Sequence, residues 1–455
     1  MFSIYVLVAV VIYIAALIIG TWYVTRKESA KEFASGNFKI KTLGTFSSQF
    51  VSTIDGTGLV LLVSLAAAFG FGLYWFVVGI ALAALLFYIH APKVKELMRT
   101  EKFLTPNDFF RKQIGKKTNI LALFIISILV TAHFASLLHV SGQTLSAVFG
   151  TPLSLSVVAI AALVGIYMYV GGYKTVIFTD VVQFFSIVAV LVVALFVADF
   201  SAVSTFSSTI FMDGTFRTVA GTVLFFALVF YTLPAMWQRL FTARDTRTVR
   251  RSLWWYVASY IPIYFVIITF AVALFSQFPD IAPNEILYAL ASGISDPLIG
   301  SIIAVALLAM TMSSIDTQAY LSLSTITSNW MGIDQGRDPE KYKKVLRGLI
   351  IAVFAAMTVV ALTITDVVNF IIGALSLLAV LTPAYFVATY SKGSSRGLDT
   401  GVAFTVLIGI AAYFYMFTND LFTDFMMNAI PGLVTVAAGI IIVGGMAMMK
   451  RSKKA

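Results

Sequence analysis

The 455-residue chain contains no cysteine. That absence excludes disulfides, thiolate metal centres and a cysteine nucleophile. Charge is scarce too: Asp, Glu, Lys and Arg make up 11% of the residues, against about 25% in a soluble domain. Only three histidines are present, and a metal enzyme would need them to converge with carboxylates, of which their spacing gives no sign. What fills the chain instead is apolar. Residues of hydrophobic type make up 60% of it, in repeated runs of about 20, the length that crosses a bilayer as a helix. The fold class is therefore an all-α polytopic membrane protein.

Hydropathy predicts thirteen helices, near 2–24, 44–69, 72–91, 119–148, 153–172, 176–198, 218–238, 252–276, 297–327, 346–364, 367–390, 402–417 and 430–449. The basic residues test that count. Connections after odd-numbered helices hold 30 of the 31 Lys and Arg, and Arg217 alone falls in the others. The positive-inside rule then puts the N-terminus outside and the C-terminus inside. The net charge of +10 is thus topological, and nucleic acid is excluded as a partner. The first apolar run lacks a basic segment before it and is expected to be a retained helix, not a cleaved signal. With no soluble catalytic domain expected after the last helix, the reading is a carrier in the plasma (inner) membrane, not an enzyme.

Two spans carry interruptions. In "SSQFVSTIDGTGLVLLV" (Ser47–Val63), Gly56 and Gly58 sit beside Thr53, Asp55 and Thr57. Five helices later, "LFFALVFYTLPAMWQRLF" (Leu224–Phe241) contains Pro234, which removes a backbone donor and kinks or unwinds a helix. Each alone reads as an ordinary kink or a close-packing glycine pair. Matching positions five spans apart favour a pair of broken helices that bind ligand at the midplane of an inverted repeat. The implied organisation is an extra helix and inner loop (1–43), a first five-helix repeat (44–200), a second (201–390) and two C-terminal helices (391–455).

Three carboxylates fall inside spans: Asp55, Asp180 and Asp316. A charge at the bilayer centre costs at least about 2.5 kcal/mol, so such acids are functional candidates. No Lys or Arg is expected at comparable depth, which leaves a proton or a bound cation as the partner. Asp180 lies about a turn from the inner end of its helix, where an interfacial structural role is the competing reading. In "LLAMTMSSIDTQAYLSLS" (Leu307–Ser324), helical spacing puts Ser313, Asp316 and Thr317 on one face with Ser314 beside it. A cluster of oxygens with few charges suits Na⁺ better than Mg²⁺ or Ca²⁺. His133 and His139, six residues apart, occupy different faces and read as satisfied buried residues.

Three stretches, "GGYKTVIFTDVVQ" (Gly171–Gln183), "WQRLFTARD" (Trp237–Asp245) and "MTMSSIDTQ" (Met310–Gln318), resemble the sodium:solute symporter family, which contains bacterial proline, sialic acid and sugar symporters. The resemblance implies a LeuT-like 5+5 inverted repeat and Na⁺-coupled alternating access. It implies a main sodium site at the carbonyls of Val51, Ile54 and Met310 with the hydroxyls of Ser313 and Ser314. It further implies a second site, seen in some members, at Asp180, Asp316 and Thr317, where a carboxylate at 316 departs from the serine of the sialic acid branch and a proton is the alternative occupant. Asp55, Gly56 and Thr57 fall where relatives face solute. A carboxylate there suits an ammonium group, and so an amino acid, another amine or a zwitterion. Tyr74, Trp75, Tyr231 and Trp237 are candidates for aromatic walls or a cation–π face, with helix packing or an interfacial belt as the competing role. Gln238 is a candidate polar contact, and Arg239 is expected at the inner interface. The alternatives are a sugar or organic acid as solute, a sodium-conducting channel, or a transport-like sensor. The expected partners are Na⁺, a small solute and the lipid bilayer.

Overall fold

A computed structural model describes residues 4–27, 29–35, 39–197, 216–278, 280–283, 285–291, 297–333, 337–391 and 393–452. The proposed repeat boundary at 200/201 lies outside the described residues. The long helices are α1 (Ile4–Thr25), α2 (Thr42–Val51), α3 (Gly56–Phe69), α4 (Trp75–Thr100), α5 (Lys116–Phe149), α6 (Leu153–Val170), α7 (Tyr173–Val197), α8 (Phe216–Thr232), α9 (Pro234–Thr242), α10 (Thr246–Gln277), α11 (Pro297–Thr325), α12 (Pro339–Ala361), α13 (Val367–Leu378), α14 (Thr382–Tyr390), α15 (Arg396–Thr418) and α16 (Phe425–Ser452). Among the described residues, nine helices are long and apolar enough to cross a membrane, or eleven when each of two bent pairs is one span. No β-strand occurs among them; one isolated bridge joins Ile40 to Ala243.

The two bent pairs are the spans interrupted in sequence. The α2 and α3 axes meet at 49°, and α8 and α9 at 47°. At the first break Asp55 caps α3: its backbone is extended and its Oδ1 accepts the Gly58 N–H at 2.6 Å. That bond satisfies one of the amides a helix start leaves open. At the second break Leu233 leaves the helical region and Pro234 opens α9, where a missing N–H costs nothing. Trp237 closes over it, donating Nε1–H to the Tyr231 carbonyl at 2.7 Å and stacking on Tyr385 at 4.3 Å between ring centroids.

The α11 helix is central. Of its apolar window 83% is buried inside the protein, against 28% for α12, and it packs on α1, α5 and α7. A lipid-facing helix needs no polar side chains, whereas one enclosed by other helices has partners for them. This is why the hydroxyl and acidic stripe falls here. Close approach of α3 to α11 requires Gly56, because a Cβ at that position would collide with the Thr311 methyl. Gly56→Ala is accordingly expected to cost about 1–3 kcal/mol by overpacking, read as a lower unfolding temperature in detergent; unchanged stability would mean that the two helices are not held this close.

Candidate solute and sodium site

The unwound segment between α2 and α3 is held from three directions. On α10, Tyr256 and Tyr260 donate their hydroxyls to Thr53 Oγ1, the former at 3.2 Å, and Tyr264 donates to the Thr53 carbonyl at 3.2 Å. From α11, Ser314 donates to the Val51 carbonyl at 3.2 Å. From α5, His133 Nε2 lies 2.7 Å from Asp55 Oδ2, and His133 Nδ1 lies 3.0 Å from Gln318 Nε2 of α11. The histidine read from sequence as a satisfied buried residue is buried here, and its partners are Asp55 and Gln318. Helical spacing along α5 could not reveal this, because the contact joins residues 78 apart in sequence. The tyrosines did leave a signal in sequence: "YVASYIPIY" spaces them by four, a stripe along one helix face.

A cavity of about 80 Å³ opens at this break. Asp55, Thr57, His133 and Gln318 give it polar groups, and Phe76, Phe226, Phe230 and Tyr264 give it aromatic walls. Three polar atoms on its lining residues, Ser52 Oγ, Thr57 Oγ1 and Gln318 Oε1, are buried with no hydrogen-bond partner among the described residues. Native structures leave few such atoms without a reason, and a polar solute is one.

Other residues proposed from sequence to face solute lie elsewhere. Tyr231 is buried against Phe87, Trp237 and Phe386, with its hydroxyl 3.2 Å from His90 Nδ1. Trp237 and Tyr231 form the packing that secures the second break. Gln238 accepts from Arg239 through Oε1 at 3.0 Å. Tyr74 packs between Phe71 and Phe265, and neither Tyr74 nor Trp75 lines the cavity. Gly56 packs on α11 rather than on the cavity.

The α11 stripe fans out toward different partners. Ser314 faces the end of α2, as above. Ser313 donates to Asp180 Oδ1 of α7 at 2.7 Å. Asp316 Oδ2 accepts from Thr179 at 2.8 Å and Tyr167 at 3.2 Å, while its Oδ1 is buried without a partner among the described residues. Thr317 Oγ1 accepts from Arg239 Nη2 at 3.0 Å, and the same nitrogen lies 3.5 Å from Asp180 Oδ2. The side chains of Arg239 and Asp180 are 1% and 0% exposed. This corrects one expectation: a basic group does reach the acids, since Arg239, expected at the inner interface, is buried between helices beside Asp180. The reason is the second break. It turns α9 inward against α2 and α11, and hydropathy read as one straight span cannot register that turn.

Comparison with known proteins places this geometry in context. Residues 34–390 match the family described as sodium:solute symporter family. The chain is 24% identical over 465 residues to sodium/proline symporter 2 of Staphylococcus saprophyticus, covering 94% of this chain and 90% of that one. It is 24% identical over 480 residues to the osmoregulated proline transporter OpuE of Bacillus subtilis, covering 97% and 94%. Its fold is similar to a Na⁺-coupled sialic acid symporter in a substrate-bound outward-open state, with a TM-score of 0.81, 18% identity and coverage of 96% and 97%.

Proposed function

Because the chain belongs to the sodium:solute symporter family, as a multi-pass plasma-membrane Na⁺:solute symporter, we propose that it imports an amino acid or similar zwitterion by alternating access. The observation that carries this reading is the cavity at the α2–α3 break, where a carboxylate sits among aromatic rings and unpaired polar atoms. Among the described residues, Asp55 is the one acid lining it. An ammonium group matches that carboxylate, and the rings of Phe76, Phe226, Phe230 and Tyr264 cover the solute's apolar part. His133 stands across from Asp55 as the group a solute ammonium displaces or joins. The proline symporter and the proline transporter among the relatives support an amino acid, and L-proline is the first solute to test.

Sodium, in this reading, binds the carbonyls of Val51, Ile54 and Met310 and the hydroxyls of Ser313 and Ser314. The hydrogen bond from Ser314 to the Val51 carbonyl supports it, since the ion would bridge the same two oxygens and so tie α11 to α2. A tie that favours the solute-binding conformation makes solute affinity depend on sodium, and the reverse. Each Na⁺ moving down the membrane potential supplies about 2.3 kcal/mol per 100 mV, before its concentration gradient. We further propose that α1 and α7 cross the membrane beside the spans already described, for thirteen in all. In the proposed arrangement the repeats run over 44–200 and 201–390, and the N-terminus lies outside.

The test is uptake of labelled L-proline into proteoliposomes under an inward Na⁺ gradient. Uptake that needs the gradient supports the proposal; Na⁺ current without solute would indicate a channel, and uptake of sialic acid or another anionic solute in place of proline would remove the zwitterion. Ser314→Ala should raise the sodium needed for half-maximal uptake about tenfold, the loss of about 1.4 kcal/mol. Ser313→Ala should act less strongly through this site, because that hydroxyl is bonded to Asp180. Equal sodium activation in the Ser314→Ala and parent chains would reject the assignment.

A further inference from the structure

The second sodium site implied by the family resemblance needs Asp180 and Thr317 as oxygen ligands. In this chain both are already engaged by a cation of its own. Arg239 Nη2 donates to Thr317 at 3.0 Å and lies 3.5 Å from Asp180 Oδ2. Ser48 of α2 accepts from Arg239 Nε and donates to the same Asp180 oxygen, so the guanidinium reaches the carboxylate directly and through a hydroxyl. The remaining nitrogen donates to Gln238 at 3.0 Å and to Tyr173 at 3.3 Å, and the Arg239 guanidinium also lies 5.5 Å from the centre of the Tyr173 ring. The fork is fully used, and arginine does not give up its proton in a protein.

Asp316 does not restore the missing ligands. Its Oδ2 is held by Thr179 and Tyr167, which leaves one free carboxylate oxygen, too few for an ion that normally gathers several. A Na⁺ placed between Asp180 and Thr317 would also lie within a few ångströms of a permanent positive charge, and two such charges repel strongly away from bulk water. We propose that Arg239 is the built-in second cation of this chain, so that Asp180 and Thr317 hold a guanidinium where the resemblance implies an ion, and one Na⁺ binds per chain. The inference rests on the sodium site proposed above, and it joins α2, α7, α9 and α11 through one side chain. Arg239 is here a positioning residue that sets ion stoichiometry.

Equilibrium binding of ²²Na⁺ to the purified full chain in detergent tests it without knowledge of the solute. The parent chain should bind one Na⁺ with a Hill slope of one. Arg239→Gln, checked for a single monodisperse species, should bind a second, weaker Na⁺ at the vacated carboxylate, and adding Asp180→Asn should remove that ion again. Arg239→Lys keeps a cation and should stay at one. A merely structural arginine would lower stability in all these variants without raising the count. A parent count of two overturns the assignment and leaves the main sodium site standing, whereas a count of zero overturns both. If Arg239→Gln does not fold, the parent count and the Arg239→Lys count still decide.

Discussion

Asp55→Asn is expected to weaken solute binding by roughly two orders of magnitude or more while Na⁺ alone still stabilises the protein. Asparagine keeps the size of the side chain, and its amide oxygen can still accept the Gly58 N–H that caps α3. What it removes is the negative charge lining the cavity. Truncating one partner of a buried charged hydrogen bond costs about 2–5 kcal/mol, and each 1.4 kcal/mol is about tenfold in affinity. Heat unfolding of the detergent-solubilised protein, titrated with L-proline at fixed Na⁺ and with Na⁺ alone, separates the two candidate cations by mass action. If sodium were the partner of Asp55, the substitution would abolish stabilisation by Na⁺ before any solute was added. That result would move the carboxylate from the solute to the ion. His133→Gln supplies the control: it removes the imidazole beside Asp55 but leaves the carboxylate, so it should weaken solute binding less than Asp55→Asn.

Trp237→Ala should produce the largest loss of stability of any single change considered. The indole is buried completely, stacks on Tyr385 and contacts Phe87 and Phe109 edge-on or stacked. Removing a buried aromatic ring of this kind costs about 3–5 kcal/mol. The same change strips the Tyr231 carbonyl of its donor, and a buried acceptor left unpaired adds about 1–3 kcal/mol. Trp237→Phe isolates the two contributions, since it retains most of the stacking and loses only the N–H. Thermal unfolding should therefore rank the parent chain above Trp237→Phe and Trp237→Phe well above Trp237→Ala. If the two variants unfold together, the hydrogen bond dominates; if both match the parent, the indole does not hold the break. Either way the readout is stability and not solute affinity, because Trp237 does not line the cavity.

Much of this protein is decided by the chain without reference to its fold. Apolar runs of bilayer length define the spanning helices, because a backbone without water must satisfy its own hydrogen bonds within each segment. Gly56 and Pro234 mark the two broken spans, since glycine permits close approach and proline withholds a donor, and both effects are local. The stripe from Ser313 to Thr317 is likewise visible from spacing alone, because it lies on one helix. Partnership is another matter. That His133 meets Asp55, that Arg239 turns inward to Asp180 and Thr317, and that Trp237 and Tyr231 pack away from the cavity all depend on the direction in which each helix continues after its break. A bend of 47° or 49° carries a side chain beyond the break to a different set of neighbours from the one a straight span would give it. Hydrogen bonds and charge pairs between different helices are set by that displacement. The sequence names the acids and the breaks, and only the tertiary structure gives each acid its partners: His133 for Asp55, Arg239 for Asp180, and the hydroxyls of Thr179 and Tyr167 for Asp316.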